Sequence, residues 1–415
     1  MVLGVNLRKF RIVSILGPGL ISAVSGLEIT NIGVFTYVGA IYGFKILWII
    51  VLASIIIALL QQLAVEVGVV MREGVIVKSR KIFGKHLTFT ILISLFIANV
   101  VTIAINIIGV SFTLNVVSGI PWYLVAISFS LLLFGLALRK EYMYLERILT
   151  LLSFVLSTYI VLMVFHLISS PSTVIELLAN LIIPPEVAIG RQYFIDVLAV
   201  FGAAAAPYAL IFQTSSIIMK GLKMHEIPEE FIDISVGLVF TSLASVSVAV
   251  VAAAYAPENT STIHDMILAL KPLGIIGPLL FCVGILASST LAIEAIILCN
   301  AYMFYEYSTE TTSLKDIVAS KLYFKVASLT ILISLLIAFA HAFSRNIFGG
   351  GFADLVRDSS ILISLTSWVP ALFVVLLYWK VKPLASSFIK VVSALIVGSL
   401  IVVNVVGVLG ALGLS

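Results

Sequence analysis

Of 415 residues, 61% are hydrophobic and only 11% charged, and the mean hydropathy is +1.23. A soluble domain carries roughly 25% charged residues, so the composition excludes a water-soluble globule. The net charge of +4 resides in short juxtamembrane clusters, which gives no support to nucleic-acid binding.

A membrane-spanning helix needs about 20 mostly apolar residues. Such windows predict eleven spans, at about 12–42, 45–70, 87–111, 121–138, 144–169, 194–219, 231–255, 273–305, 322–344, 359–379 and 388–411. Met1 to Arg11 form a short basic lead without the small-residue cleavage site of a secretory signal. The first window is too long for one straight span, and Gly26-Leu-Glu-Ile-Thr-Asn-Ile-Gly33 sits inside it, which suits a broken helix. Gln61, Gln62 and Glu66 fall near the cytoplasmic end of the second span, Asn99 and Asn106 in the third, and His166 near the outer end of the fifth, an interfacial position. The sixth, "DVLAVFGAAAAPYALIFQTSSIIMK", is interrupted at Ala206-Pro207-Tyr208. Asn259-Thr-Ser matches a glycosylation acceptor, a pattern frequent by chance. Both cysteines, Cys282 and Cys299, lie in the eighth span and read as packing residues.

Charge distribution sets the expected orientation. Lys45, Arg191, Lys271, Arg345 and Arg357 fall on one side, and the remaining 19 of the 24 basic residues on the other. By the positive-inside rule the N-terminus is cytoplasmic and the C-terminus external.

Interrupted segments at corresponding positions in two halves mark the binding site of inverted-repeat transporters. The first and sixth spans are such a pair. The expected fold is therefore an all-α integral membrane protein of five plus five helices, LeuT-like, with helices 1 and 6 broken. Residues 1–169 would form the first repeat, 170–193 an external connector, 194–379 the inverted repeat, and 380–415 an eleventh helix.

The breaks dictate the chemistry. Pro207 has no N–H, so the Ala203 carbonyl four residues earlier loses its helical partner. Free carbonyls beside a carboxylate suit a hard cation, which takes oxygen ligands. A carboxylate at mid-membrane costs roughly 2.5–3.5 kcal/mol on insertion scales, and Glu28 and Glu294 are the two acids read as lying well inside spans. Glu28 is expected to ligate the ion, with Asn31 adding a side-chain oxygen or capping the next half-helix. Glu294 either faces the same cavity, carries a coupling proton or pairs with a cation. Ser288, Ser289 and Thr290 either coordinate or bond back to their own helix. Tyr208 and Gln213 are expected to shape or line the cavity, while Asn99 and Asn106 either line a path or bridge helices. No phosphate-cradling glycine loop, Cys/His metal spacing or Ser–His–Asp arrangement suggests an enzyme, and no resident cofactor is expected.

On these residues the chain resembles the natural resistance-associated macrophage protein (NRAMP) metal transporters, and more closely their NRAMP-related magnesium-type relatives. "GPGLIS" at Gly17–Ser22 and "GAIYGFKILW" at Gly39–Trp48 bracket the first break as in that family. Its Asp-Pro-Gly-Asn falls on Glu28-Ile29-Thr30-Asn31, which keeps the acid and the asparagine, its metal ligands, in type. Its Met-Pro-His falls on Ala206-Pro207-Tyr208, so the sulfur ligand and the histidine are absent. "APYALIFQTSS", "YLERILTLL", "LALKPLGIIGPLLFCVGILAS" and "AYMFYE" carry further likeness. The resemblance implies transport of a divalent metal as substrate, with the ion held by Glu28, Asn31 and the carbonyls of Ala203 and Ala206. Loss of thioether sulfur removes a preference for softer metals and leaves manganese, magnesium and other cations open. Tyr208 does not titrate near neutral pH as a histidine would, which leaves a coupling proton possible through other groups only. The expected partners are the ion and the cell membrane, with no required protein partner. The competing readings are a sodium- or proton-coupled carrier of a small organic solute on the same fold and a non-transporting metal-binding membrane protein.

Overall fold

A computed structural model describes residues 26–137, 151–152, 154–182, 190–312, 317, 320–348, 351–381 and 387–412. The basic lead and the Gly17–Ser22 stretch lie outside them, as does most of Tyr144–Leu152. The described residues form helices and no strands.

The chain enters the described region at a non-helical Gly26–Glu28, and α1 then runs Ile29–Tyr42. A short 3₁₀ turn leads to α2, Leu47–Met71, and an amphipathic helix α3, Val75–Phe83, precedes the long α4, Lys85–Ser118. Then follow α5, Trp122–Ala137, α6, Thr158–Ser169, and the short α7, Ser172–Ile182. The sixth expected span is two helices, α8, Arg191–Ala204, and α9, Pro207–Lys220. The remainder is α10, Ile227–Tyr255, a small α11, Ile263–Leu268, α12, Ile276–Thr309, α13, Lys321–Phe348, α14, Phe352–Val381, and α15, Ser387–Ala411. Among the described residues, eight segments are long and apolar enough to cross a membrane, and three shorter apolar helices accompany them.

Each span forms because an apolar run cannot leave its backbone polar groups unsatisfied in hydrocarbon, and only a helix satisfies them locally. The helices end where that logic ends. Gly119 and Gly221 close α4 and α9 in the left-handed conformation, with their amides donating back to Asn115 O and Ile217–Ile218 O.

Two glycines set how closely the central helices meet. A Cβ on Gly39 would stand 2.4 Å from Ala249 O, so α1 and α10 touch backbone to backbone. A Cβ on Gly202 would stand 1.7 Å from Ser360 O, which brings α8 equally close to α14. The broken pair thus packs against α10 and α14, with α2, α4 and α12 surrounding it.

Candidate functional site

After each break helix resumes earlier than the sequence suggests. At the first, Gly26–Glu28 are irregular and helix begins at Ile29, so Thr30 and Asn31 lie in the first turn of α1. Glu28 is the N-cap, with extended backbone, and its carbonyl already accepts from Ile32 N at 3.0 Å. Asn31 is thus no cap. In the second break only Ala205 and Ala206 are irregular, because Pro207, with φ preset and no N–H to lose, opens α9 as its first residue. Pro207 cannot donate to the Ala203 carbonyl at the C-terminus of α8.

The breaks face each other across a cavity of about 50 Å³. Glu28 and Asn31 line it from one side and Ala203, Ala206 and Tyr208 from the other, with Gln61, Thr102 and Thr241 contributing polar edges. On a measure where one water needs about 10–15 Å³, the space holds a small ion with a few waters. Glu28 retains 8% of its exposure and Asn31 3%, so the carboxylate is nearly desolvated. It sits at the N-terminus of α1, where partial positive charge favours an anion. Across the gap, the C-terminus of α8 presents carbonyl oxygens with partial negative charge. A carboxylate, a side-chain amide oxygen and peptide carbonyls around so small a space form a hard, all-oxygen donor set. Among the described residues no cluster of three His, Cys, Asp or Glu offers a competing metal centre.

Helices behind the site hold its ligand candidates. Asn106 Nδ2 on α4 donates to Glu28 Oε2, and Ser245 Oγ on α10 donates to Asn31 Oδ1 at 3.3 Å. The Tyr208 carbonyl accepts a weak contact from Cys299 Sγ at 3.6 Å.

Gln213 and Glu294 are not among the lining residues. Gln213, about one and a half turns past Tyr208, donates to Glu230 Oε1 on α10 at 3.3 Å and so bridges two helices. Glu294 is buried within α12, with Oε1 unpartnered. Ser288 and Thr290 donate back to Ile285 O and Leu286 O, as hydroxyls in apolar helices do. Asn99 bridges to Asn300 Oδ1 at 2.6 Å, an interhelical bond between α4 and α12. His166 contacts the Tyr255 hydroxyl through Nδ1 at 3.3 Å.

Counting acids along the spans misses three more that tertiary structure buries among the described residues, Asp196 near the start of α8, Glu230 near the start of α10 and Glu306 near the end of α12. Asp196 belongs to a polar seal at the end of the bundle where α1 finishes. Tyr42 Oη donates to Asp196 Oδ2 at 2.7 Å and Gln192 Nε2 to Oδ1 at 3.1 Å. Beside them Arg357 Nη1 donates to Tyr37 Oη at 3.1 Å and pairs with Asp354 at 3.3 Å. Their positions two to five residues into a helix give little signal, since burial there depends on which helix lies opposite.

Comparison with known proteins bears on the family and the fold. A sequence model of the natural resistance-associated macrophage protein-like family matches residues 19–408. The divalent metal cation transporter MntH of Listeria welshimeri is 26% identical over 298 residues, 68% of this chain and 66% of the length of that relative. A mutant of the Eremococcus coleocola manganese transporter superposes with a TM-score of 0.68 at 16% identity, over 100% of this chain and 98% of its own. MhsT in complex with L-phenylalanine superposes at 0.55 and 15% identity, over 95% and 98%. These neighbours share the LeuT-like fold, five helices plus five with the first and sixth broken, and make this a multi-pass membrane protein. With the family model covering nearly its whole length, the chain belongs to the natural resistance-associated macrophage protein-like family.

Proposed function

We propose that this chain is a secondary transporter that moves a divalent cation of the magnesium or manganese class across the cell membrane by alternating access. The observation that carries the reading is the meeting of Glu28, Asn31 and the Ala203–Ala206 break around one ion-sized cavity. Glu28 supplies the charge, Asn31 a neutral oxygen, and the carbonyls of Ala203 and Ala206 the remaining protein ligands, with water completing the shell. Tyr208 shapes the wall. The names of the relatives, divalent metal cation and manganese transporters, support the same substrate class. The absence of a cysteine or methionine among the lining residues supports a hard ion.

On this reading residues 1–169 and 194–379 are the inverted repeats, 170–193 connect them, and 380–415 add the eleventh helix. The basic loops place the N-terminus in the cytoplasm. A coupling proton competes with the cation for the Glu28 carboxylate, because a buried site tolerates neutralisation by either but not an isolated charge. Cation binding therefore weakens as pH falls.

Purified protein in liposomes, offered magnesium, manganese, calcium and cadmium with and without a proton gradient, tests the reading. Uptake of at least one ion is expected, with Glu28→Ala abolishing it at unchanged expression. Unchanged uptake in that variant removes Glu28 from the mechanism.

A further inference from the structure

Asn106 is fully buried on α4, and its Nδ2 donates to two acceptors at once, Glu28 Oε2 and the Thr102 carbonyl, the latter at 2.9 Å. Two acceptors on one amide atom fix that atom as nitrogen, since the amide oxygen there would face two oxygens. Asn106 is not among the residues lining the cavity, so it stands behind Glu28. One turn further along, a Cβ on Gly109 would fall 2.4 Å from Ile29 Cγ1, so α4 is pressed against the residue that follows Glu28. The Ile29 side chain seated on Gly109 therefore holds the register between Asn106 and the carboxylate.

One oxygen of Glu28 thus accepts from a buried amide donor, and the two oxygens differ in how freely they can ligate an ion. That difference bears on which ion fits. Calcium takes six to eight oxygen ligands in flexible geometry and accepts carboxylates in mono- or bidentate mode, whereas magnesium demands near-octahedral geometry, is held through one or two carboxylates and keeps several waters. We infer that Asn106 is a specificity-determining positioning residue: by occupying Glu28 Oε2 it restricts the carboxylate to monodentate ligation and biases the site toward small, partly hydrated octahedral cations over calcium. This rests on the reading of the cavity as a cation site.

The test measures manganese uptake by the full-length protein in liposomes, with magnesium and calcium as competitors. In Asn106→Leu, of similar size but without the donor, discrimination against calcium is expected to fall about tenfold or more, the usual scale for removing a partner behind a metal ligand. Asn99→Leu removes a comparable buried bond on the same helix, to Asn300, and is expected to leave discrimination unchanged. Equal discrimination in wild type and Asn106→Leu, or an equal loss in Asn99→Leu, overturns the positioning role alone. Wild-type protein that takes up none of the ions overturns the cation-site reading, and this inference with it. A second measurement needs no variant. Infrared difference spectra of wild-type protein labelled with ¹³C-glutamate, with and without manganese, separate monodentate from bidentate carboxylate by the splitting of its stretching bands. A monodentate pattern is expected, and a bidentate one overturns the proposal.

Discussion

Glu28 and Glu294 look alike along the sequence, each a carboxylate in a long apolar run, and the fold gives them different surroundings. Glu28 stands at a helix start beside an irregular segment and reaches a cavity, whereas Glu294 is inside continuous α12 among packed side chains. Glu294→Gln is therefore expected to leave cation affinity within about twofold of wild type, as measured by binding titration. A tenfold loss would place Glu294 in the site after all. The contrast shows what could be read at this scale. Glu28 and Asn31 were legible because glycines and an acid interrupt hydrophobicity, a disturbance visible in one dimension. The Asn106–Glu28 bond, which crosses 78 positions, was not. Asn106 registered only as a polar residue in a span, and which neighbour it would find depended on the crossing of α4 with α1.

Among the helices, apolar length located the spans well, because backbone satisfaction in hydrocarbon leaves little freedom. The short connecting helices α3, α7 and α11 left no such signal, being too brief or too polar for a hydropathy window. Local chemistry holds α11 instead. Thr262 is its N-cap: Oγ1 accepts from Asp265 N at 3.2 Å, while Asp265 Oδ2 accepts from Thr262 N at 2.8 Å. Partial desolvation raises the Asp265 carboxyl, but donation from the amides of Ser261 and Thr262 and from the Thr262 hydroxyl outweighs it and holds the group below the ordinary aspartate range. A depressed folded value means the stabilisation is present above the unfolded pKa of about 3.9 and is lost as pH falls through the folded one. Hydrogen-exchange protection over 262–268 is expected to hold at pH 5 and to drop under stronger acid. Thr262→Ala is expected to lower it by about 1 kcal/mol at any pH where Asp265 is charged. Protection indifferent to both changes would mean that the surrounding loops, not the cap, hold this helix.

For the molecule as a whole, the cavity and the polar seal lie at different depths. At 1.5 Å per residue, Tyr42 is about 20 Å along α1 from Glu28. Gln61 and Thr241 line the cavity, while Tyr42 and Asp196 are not among its lining residues. On the proposed orientation the Tyr42–Asp196 bond ties α1 to α8 at the outer end, and an outward opening there breaks it. A hydrogen bond to a carboxylate contributes about 1.5–3 kcal/mol, so Tyr42→Phe is expected to raise the outward-open population about tenfold or more. An impermeant maleimide applied from outside to a Val38→Cys reporter, buried on α1 in wild type, reads this as faster labelling. Identical labelling rates with and without the tyrosine hydroxyl would show that the seal is held by packing alone. The five-plus-five plan was legible from two interruptions at matching places, but the seal was not, because it joins three helices whose contacts no single window records.

Where α1 meets α10 at Gly39 and α8 meets α14 at Gly202, no side chains interdigitate between the backbones. Meshed ridges must be lifted apart before neighbouring rods shift, while a smooth seam has nothing to unmesh. Each half of the broken pair that runs between the cavity and the Tyr42–Asp196 end therefore rests on a bearing, able to roll or slip against its neighbour with little loss of van der Waals contact.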